Sequence, residues 1–299
     1  MRWLRRKRFD PPPVALPRKV RRLEVLSSKL IRSGFAGDYH SAFHGKGVEF
    51  AQVREYMPGD DIRTIDWNVT ARSGIPHVKQ FVEERDLTVM IVIDVSRSMA
   101  FGSVDRRKID RALELAAVLS FAAVENNDRV GLLMFGPKVR RFFPPRKGRS
   151  WSQAIIRAAL AEGLHPDGPA DLENTVHFLQ RVLVKRNVIL FLSDFLDMPF
   201  ERSLERLSRK HDVIALAISD PREQAFPGRG LIRLIDSESG QAAQIDLSQN
   251  RVRANAGRRT TELVQRFRRA KIDHLFVSTA IPYDRDLLGF FRNRVLRTP

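Results

Sequence analysis

The chain is 299 residues long, 43% hydrophobic and 29% charged, an ordinary globular composition with room for one large or two small domains and a sizeable core. It has no cysteine, which excludes disulfide scaffolds, thiol catalysis, Cys-ligated zinc and iron–sulfur clusters, and no apolar run long enough to span a bilayer. The net charge of +17 sits at the ends: residues 1–32 balance to +9 and residues 251–299 to +8, while residues 33–250 carry 29 charges of each sign.

The opening MRWLRRKRFDPPP is charged like the start of a signal peptide but lacks the apolar stretch that must follow, so a cytoplasmic protein is expected. DPPPVALP reads as a stiff, extended spacer. After it, Val20, Leu23, Leu26 and Leu30 recur at intervals of three and four, predicting an amphipathic helix that ends near Gly34. Residues 1–34 thus form a basic, proline-containing arm and helix. The next stretch, 35–86, is expected to be β-rich: VEFAQVREY and HVKQFVEER alternate as half-buried strands do, and PGDD marks a turn between them.

From residue 87 to 299 strands alternate with helices. LTVMIVI (87–93) is a continuous apolar run suited to the middle of a parallel sheet. A helix over Lys108–Asn126 follows, then a strand at 129–135, a ribbon near Val139–Phe143 and helices near 151–162 and 172–185. Strand 188–192, helix 200–210, strand 213–218, a hairpin of LIRLID with QAAQIDL, helix 258–271, strand 274–278 and helix 284–296 complete the chain. This alternation predicts an α/β fold, a mostly parallel sheet covered by helices on both faces, with the basic helices of both ends lying outside it.

Ligands of such sheets bind beyond the carboxyl ends of the strands. There, Asp94-Val95-Ser96-Arg97-Ser98 follows the first buried strand, and Ser193-Asp194 follows VILFL. Alternate residues of an extended segment point the same way, so Asp94, Ser96 and Ser98 can converge on one point while Val95 and Arg97 turn away. All the donors are oxygens, which suit Mg²⁺ or Mn²⁺.

DVSRSM after an apolar strand resembles the metal-ion-dependent adhesion site of von Willebrand factor A-type domains. GVEFAQVREYMPGDDIRTIDWNVTARSG, HVKQFVEERDLTVMIVIDVSRSM, LSDF, SDPRE and IDSESG together resemble the bacterial family called domain of unknown function 58, from about residue 35 to about residue 250. The resemblance implies a von Willebrand A-like fold with Asp94, Ser96 and Ser98 in a first metal loop and Asp194 at the later strand end. It also implies a threonine before an Asp-Leu pair. Ala170 stands there instead, leaving Asp171 to substitute directly or through water, with Thr175 one helical turn on. Relatives of this family are often associated with MoxR-type AAA+ ATPases, which makes such an ATPase the expected partner.

Other constellations carry less. Asp60, Asp61 and Asp66 with Arg54, Arg63 and Arg72 read as a turn fixed by ion pairs and caps, and Trp67 beside them as a buried anchor. His40 and His44 have zinc-ligand spacing, but Gly37, Gly45 and Gly47 argue against the helix it needs. There is no phosphate-binding G-x-x-x-x-G-K-[ST] and no G-x-S-x-G elbow, and Ser96 replaces the second acid of a D-x-D phosphatase.

The resulting expectation is a non-enzymatic adaptor that captures a partner's acidic residue through Mg²⁺, working with a MoxR-type ATPase in protein assembly or remodelling. The alternative is nucleic-acid or anionic-membrane binding through the basic N- and C-terminal segments. No base-reading module supports the nucleic-acid form of it.

Overall fold

The computed structural model describes residues 16–44, 52–62, 65–80, 87–196, 198–224, 230–235, 242–246 and 250–297. Residues 10–15 of the proline-rich spacer and Arg63 lie outside them, while the last two residues of that stretch, Leu16 and Pro17, are helical rather than extended.

The first helix, α1 (Leu16–Leu30), runs through a π-helical turn (Ile31–Phe35) into α2 (Ala36–His44). Gly34, at φ 102°, makes the kink between them, a conformation open to glycine without strain. Residues 36–44 are therefore helical, not β-like. The spacing of Phe35, Tyr39 and Ala42 puts a buried stripe on one face, and that burial outweighs Gly37. His40 and His44 both fall on α2.

Strands β1 (Gln52–Glu55) and β2 (His77–Gln80) pair antiparallel, with α3 (Trp67–Ser73) between them. Asp66 caps α3, its carboxylate accepting from the backbone N–H of Asn68 and Val69, and Arg54 grips Asp60 with both guanidinium nitrogens. The expectation of a turn held by caps and ion pairs is met at these residues. Trp67 is not the expected anchor: it is 67% exposed, and no residue of α3 is buried. A seven-residue helix beside two four-residue strands has too little surface around it to cover an indole.

The main sheet has six strands. They are β3 (Thr88–Asp94), β4 (Arg129–Phe135), β5 (Val139–Arg146), β6 (Val188–Ser193), β7 (Asp212–Ser219) and, after the separate hairpin of β8 (Leu231–Ile235) and β9 (Ala242–Asp246), β10 (Asp273–Ser278). Their spatial order is β10-β7-β6-β3-β4-β5, all parallel except antiparallel β5. The strand order reverses at β3, where the chain leaves to one side for β4 and to the other for β6.

Alternation along each strand builds two apolar layers. Val89, Ile91 and Ile93 of β3 face one layer, roofed by α1, α2, α4 (Lys108–Glu125), α5 (Arg149–Glu162) and α10 (Asp284–Arg297). Met90 and Val92 face the other, under α6 (Leu172–Val182), α7 (Glu201–Ser208) and α9 (Asn250–Arg269). The short α8 (Pro221–Gln224) follows β7. The end helices α1 and α10 are not outside the fold. Phe291 of α10 is fully buried with its ring 5.4 Å from Phe35 and 5.5 Å from Phe43, so the two ends close over the same side of the sheet. No described helix is long and apolar enough to cross a membrane.

Candidate functional site

Asp94 is the last residue of β3 and wholly buried. Its Oδ1 accepts from the backbone N–H of Ser96 at 2.8 Å, and its Oδ2 from the hydroxyl of Ser193, at the end of neighbouring β6, at 2.6 Å. The chain then turns into a 3₁₀ helix at Arg97–Ala100, which brings the hydroxyls of Ser96 and Ser98 to 3.1 Å of each other while Arg97 points out to Asp167. The expected convergence of Asp94, Ser96 and Ser98 on one side of this loop is present.

Asp194 lies next to Ser193 and is nearly buried. Its Oδ1 accepts from the backbone N–H of Leu196, and its Oδ2 from the ammonium of Lys108 at 2.6 Å. Lys108 opens α4, is 1% exposed, and also pairs with Glu223 of α8. Burial alone would pull the lysine down, but Asp194 and Glu223 hold it above its ordinary value, so it is a charged, internal cation.

Asp94 has no Lys or Arg partner among the described residues. Burial and then the charge of Asp194 push its carboxyl up to about 7, against the hydrogen bonds from Ser193 and Ser96. Two buried carboxylates thus act on each other, with the internal cation of Lys108 bound to Asp194.

A third acid completes the rim. Asp220, at the end of β7, accepts from the backbone N–H and hydroxyl of Ser103, from the hydroxyl of Thr279 at 2.9 Å and from the backbone N–H of Arg222. These bonds hold its carboxyl below the usual range despite burial. Asp220 thereby fastens the loop after β3 to the turn after β10.

Asp171 joins none of these hydrogen bonds through its side chain, although its loop lies against the site, with Gly168 accepting from the N–H of Arg97 and Asp167 donating its N–H to the Val95 carbonyl. Asp171 is exposed and caps α6 through the N–H of Asn174, and its own N–H donates to Gly136. The hydroxyl of Thr175 bonds back to the Asp171 carbonyl at 2.8 Å. Ala170 packs against the apolar layer under α6. No described group of three or more His, Asp or Glu side chains could hold a metal. Any ion would rely on the oxygens of Asp94, Ser96 and Ser98, with Asp194 behind them. Those donors fit a hard divalent cation in kind: hydroxyls converging beside a carboxylate without a counter-charge, in a corner where two acids repel.

Lys108, Glu223 and Asp220 escaped the reading of the sequence. The same strand-end rule that picked Asp194 applies to SDPRE after β7 and would have found the two acids. A lone lysine starting an apolar helix carried no signal until the loop placed it.

The family profile described as protein of unknown function DUF58 matches residues 52–265. The chain belongs to the DUF58 family. Among its relatives, the uncharacterized protein Rv1480 of Mycobacterium tuberculosis is 32% identical over 241 residues, covering 80% of this chain and 75% of that one. The crystal structure of BatB from Bacteroides thetaiotaomicron is similar over 70% of this chain and 99% of its own, at 12% identity and a TM-score of 0.43. The VWA domain of SpRpn10 is similar over 71% and 95%, at 14% identity and a TM-score of 0.37. The matched region runs from β1 into α9, so it takes in the first hairpin with α3 and five of the six strands of the main sheet, with Asp94, Asp194 and Asp220, and leaves out β10 and α10.

Proposed function

We propose that this DUF58 protein is a non-enzymatic interaction module that recognises an acidic side chain of a protein partner at the carboxyl rim of its sheet. The observation that carries the reading is the approach of the Ser96 and Ser98 hydroxyls to 3.1 Å beside Asp94, itself oriented from both sides by Ser193 and the Ser96 N–H. Asp94, Ser96 and Ser98 would hold Mg²⁺ or Mn²⁺, with Asp194 supporting. When bound, the cation supplies the positive charge to which a partner's carboxylate attaches.

The chain's own residues do the rest. Ser193 fixes the Asp94 rotamer, Lys108 holds Asp194 by its Oδ2, and Asp220 holds the surrounding loops in place, so the donors are set before any partner arrives. Phe101, 43% exposed, and Ile281, 61% exposed, supply apolar contact area on the loops after β3 and β10. The family resemblance favours a MoxR-type AAA+ ATPase as partner.

Mn²⁺ titration followed by electron paramagnetic resonance tests the site directly. One ion should bind to the wild type and none to Asp94→Asn or Ser96→Ala/Ser98→Ala. Purified MoxR-type ATPase should then be retained on the wild-type protein in Mg²⁺ and released by EDTA. A wild type that binds no Mn²⁺ removes the metal from the reading, and retention indifferent to Asp94→Asn removes the site.

A further inference from the structure

The charges of the body are not spread evenly between the two rims of the sheet. At the rim where the parallel strands begin, Lys185 and Arg186 lead into β6, Arg209 and Lys210 into β7, and Arg269 and Lys271 into β10, all of them exposed. Arg129 opens β4, and Arg146 closes antiparallel β5 opposite Val130, carrying the row to the far edge of the sheet. The lead-in to β3, residues 81–86, lies outside the described residues. With strands about 4.8 Å apart, the row is roughly 24 Å wide.

Among the described residues the acids along it are few, and Asp128, just before β4, is buried. Asp212 and Asp273 are both taken by Arg294, Glu205 pairs with Arg209, and Glu125 stands at the end of α4. Lys185, Arg186, Arg269 and Lys271 make no ion pair among the described residues. At the carboxyl rim several bases are matched, Arg97 by Asp167, Arg107 by Asp110 and Lys108 by Asp194 and Glu223, while Lys138, Arg222 and Arg285 make no ion pair among the described residues.

Helix geometry accounts for part of this. Helices α4, α6, α7, α9 and α10 all end at the amino rim, and a nearby base offsets the partial negative charge of a helix end. One base per helix would do that. The lead-ins to β6, β7 and β10 supply two each.

Two large apolar side chains stand out of the same rim. Val184, next to Lys185, is 77% exposed, and Leu296, on the last turn of α10, is 76% exposed. Arg294 places that turn at the rim by reaching the first residues of β7 and β10. Apolar side chains set among bases suit the boundary between headgroups and acyl chains of an anionic bilayer. A single-stranded nucleic acid would instead use an exposed aromatic for stacking, and a duplex would have no use for exposed apolar side chains among the bases. Trp151, near the row, is committed elsewhere, its ring N–H on the Val130 carbonyl and its face under Arg146.

We infer that the amino rim of the sheet is a docking surface for an anionic lipid bilayer, through the bases leading into β6, β7 and β10 with Val184 and Leu296 inserted between headgroups. It is independent of the carboxyl-rim site and of the basic arm before α1.

The test is co-sedimentation of the full-length chain with vesicles of phosphatidylglycerol and phosphatidylcholine, against phosphatidylcholine alone. The wild type should partition onto the anionic vesicles only. Lys185→Gln/Arg186→Gln/Arg209→Gln/Lys210→Gln should weaken that partitioning by about tenfold or more, and Val184→Ser by about threefold. Removing as many charges at the opposite rim, with Arg97→Gln/Lys138→Gln/Arg222→Gln/Arg285→Gln, should change it by less than about twofold. Circular dichroism confirms that each variant is folded. Equal losses from the two charge sets, equal binding to both kinds of vesicle, or binding to duplex DNA without binding to lipid each overturn the inference.

Discussion

Lys108 and Asp194 meet at 2.6 Å with each side chain 1% exposed, so the carboxyl rim is built around a cation that belongs to the protein itself. Breaking a buried pair from one side leaves the other charge uncompensated. Lys108→Met should therefore cost about 3–5 kcal/mol in urea denaturation, and adding Asp194→Asn should recover part of the loss. A single variant as stable as the wild type would mean that water reaches the pair.

The same lysine also competes with any ion beside Asp94. With its charge gone, Asp194 becomes available, and Mn²⁺ affinity should rise by about tenfold, read by the same titration that measures wild-type binding. An unchanged affinity would confine Lys108 to a structural part.

Asp94 has the sharpest pH signature. Its carboxyl sits at about 7 in the fold against 3.8 ordinarily, so the folded protein holds this proton more tightly than the unfolded chain. The stability it contributes is complete below its unfolded value and is lost as pH rises to about 7. Relative to Asp94→Asn, the wild type should lose on the order of a few kcal/mol between about pH 4 and pH 7, with no further change above. Parallel urea midpoints across that range would contradict it. Excess Mg²⁺ should restore the lost stability above pH 7 in the wild type alone.

Phe291 joins the two ends of the chain through its contacts with Phe35 and Phe43. Phe291→Ala should cost about 3–5 kcal/mol in the same unfolding transition as the sheet. A separate early transition for the end helices would show that they fold on their own.

Trp67 gives the contrasting case. At 67% exposure its replacement by Ala should change stability by less than about 0.5 kcal/mol, whereas a buried anchor would cost several times more.

The sheet was legible because its signals are local. β-branched runs such as VILFL, and the alternation that divides Met90 and Val92 from Val89 and Ile91, specify strand and face before any tertiary contact forms. Asp94, Ser96, Ser98 and Asp194 were legible because their place at strand ends follows from the strands. The second helix was not, since Gly37 and Gly45 read as breaks while the stripe that stabilises it is completed only by Phe291, far along the chain. Lys108 was hidden for the same kind of reason. Its partners Asp194 and Glu223 lie 86 and 115 residues away, and only the fold brings them together.

The contrast between the two rims has a mechanical meaning. The unpaired bases leading into β6 and β10 at one end of the strands, and the buried acids Asp94, Asp194 and Asp220 at the other, give the domain a built-in electrical axis along the strands. A negatively charged surface would exert a torque on that axis before any contact is made, turning the basic rim inward. The rim bearing Asp94 would then face the solution, and every copy on that surface would present it in the same direction.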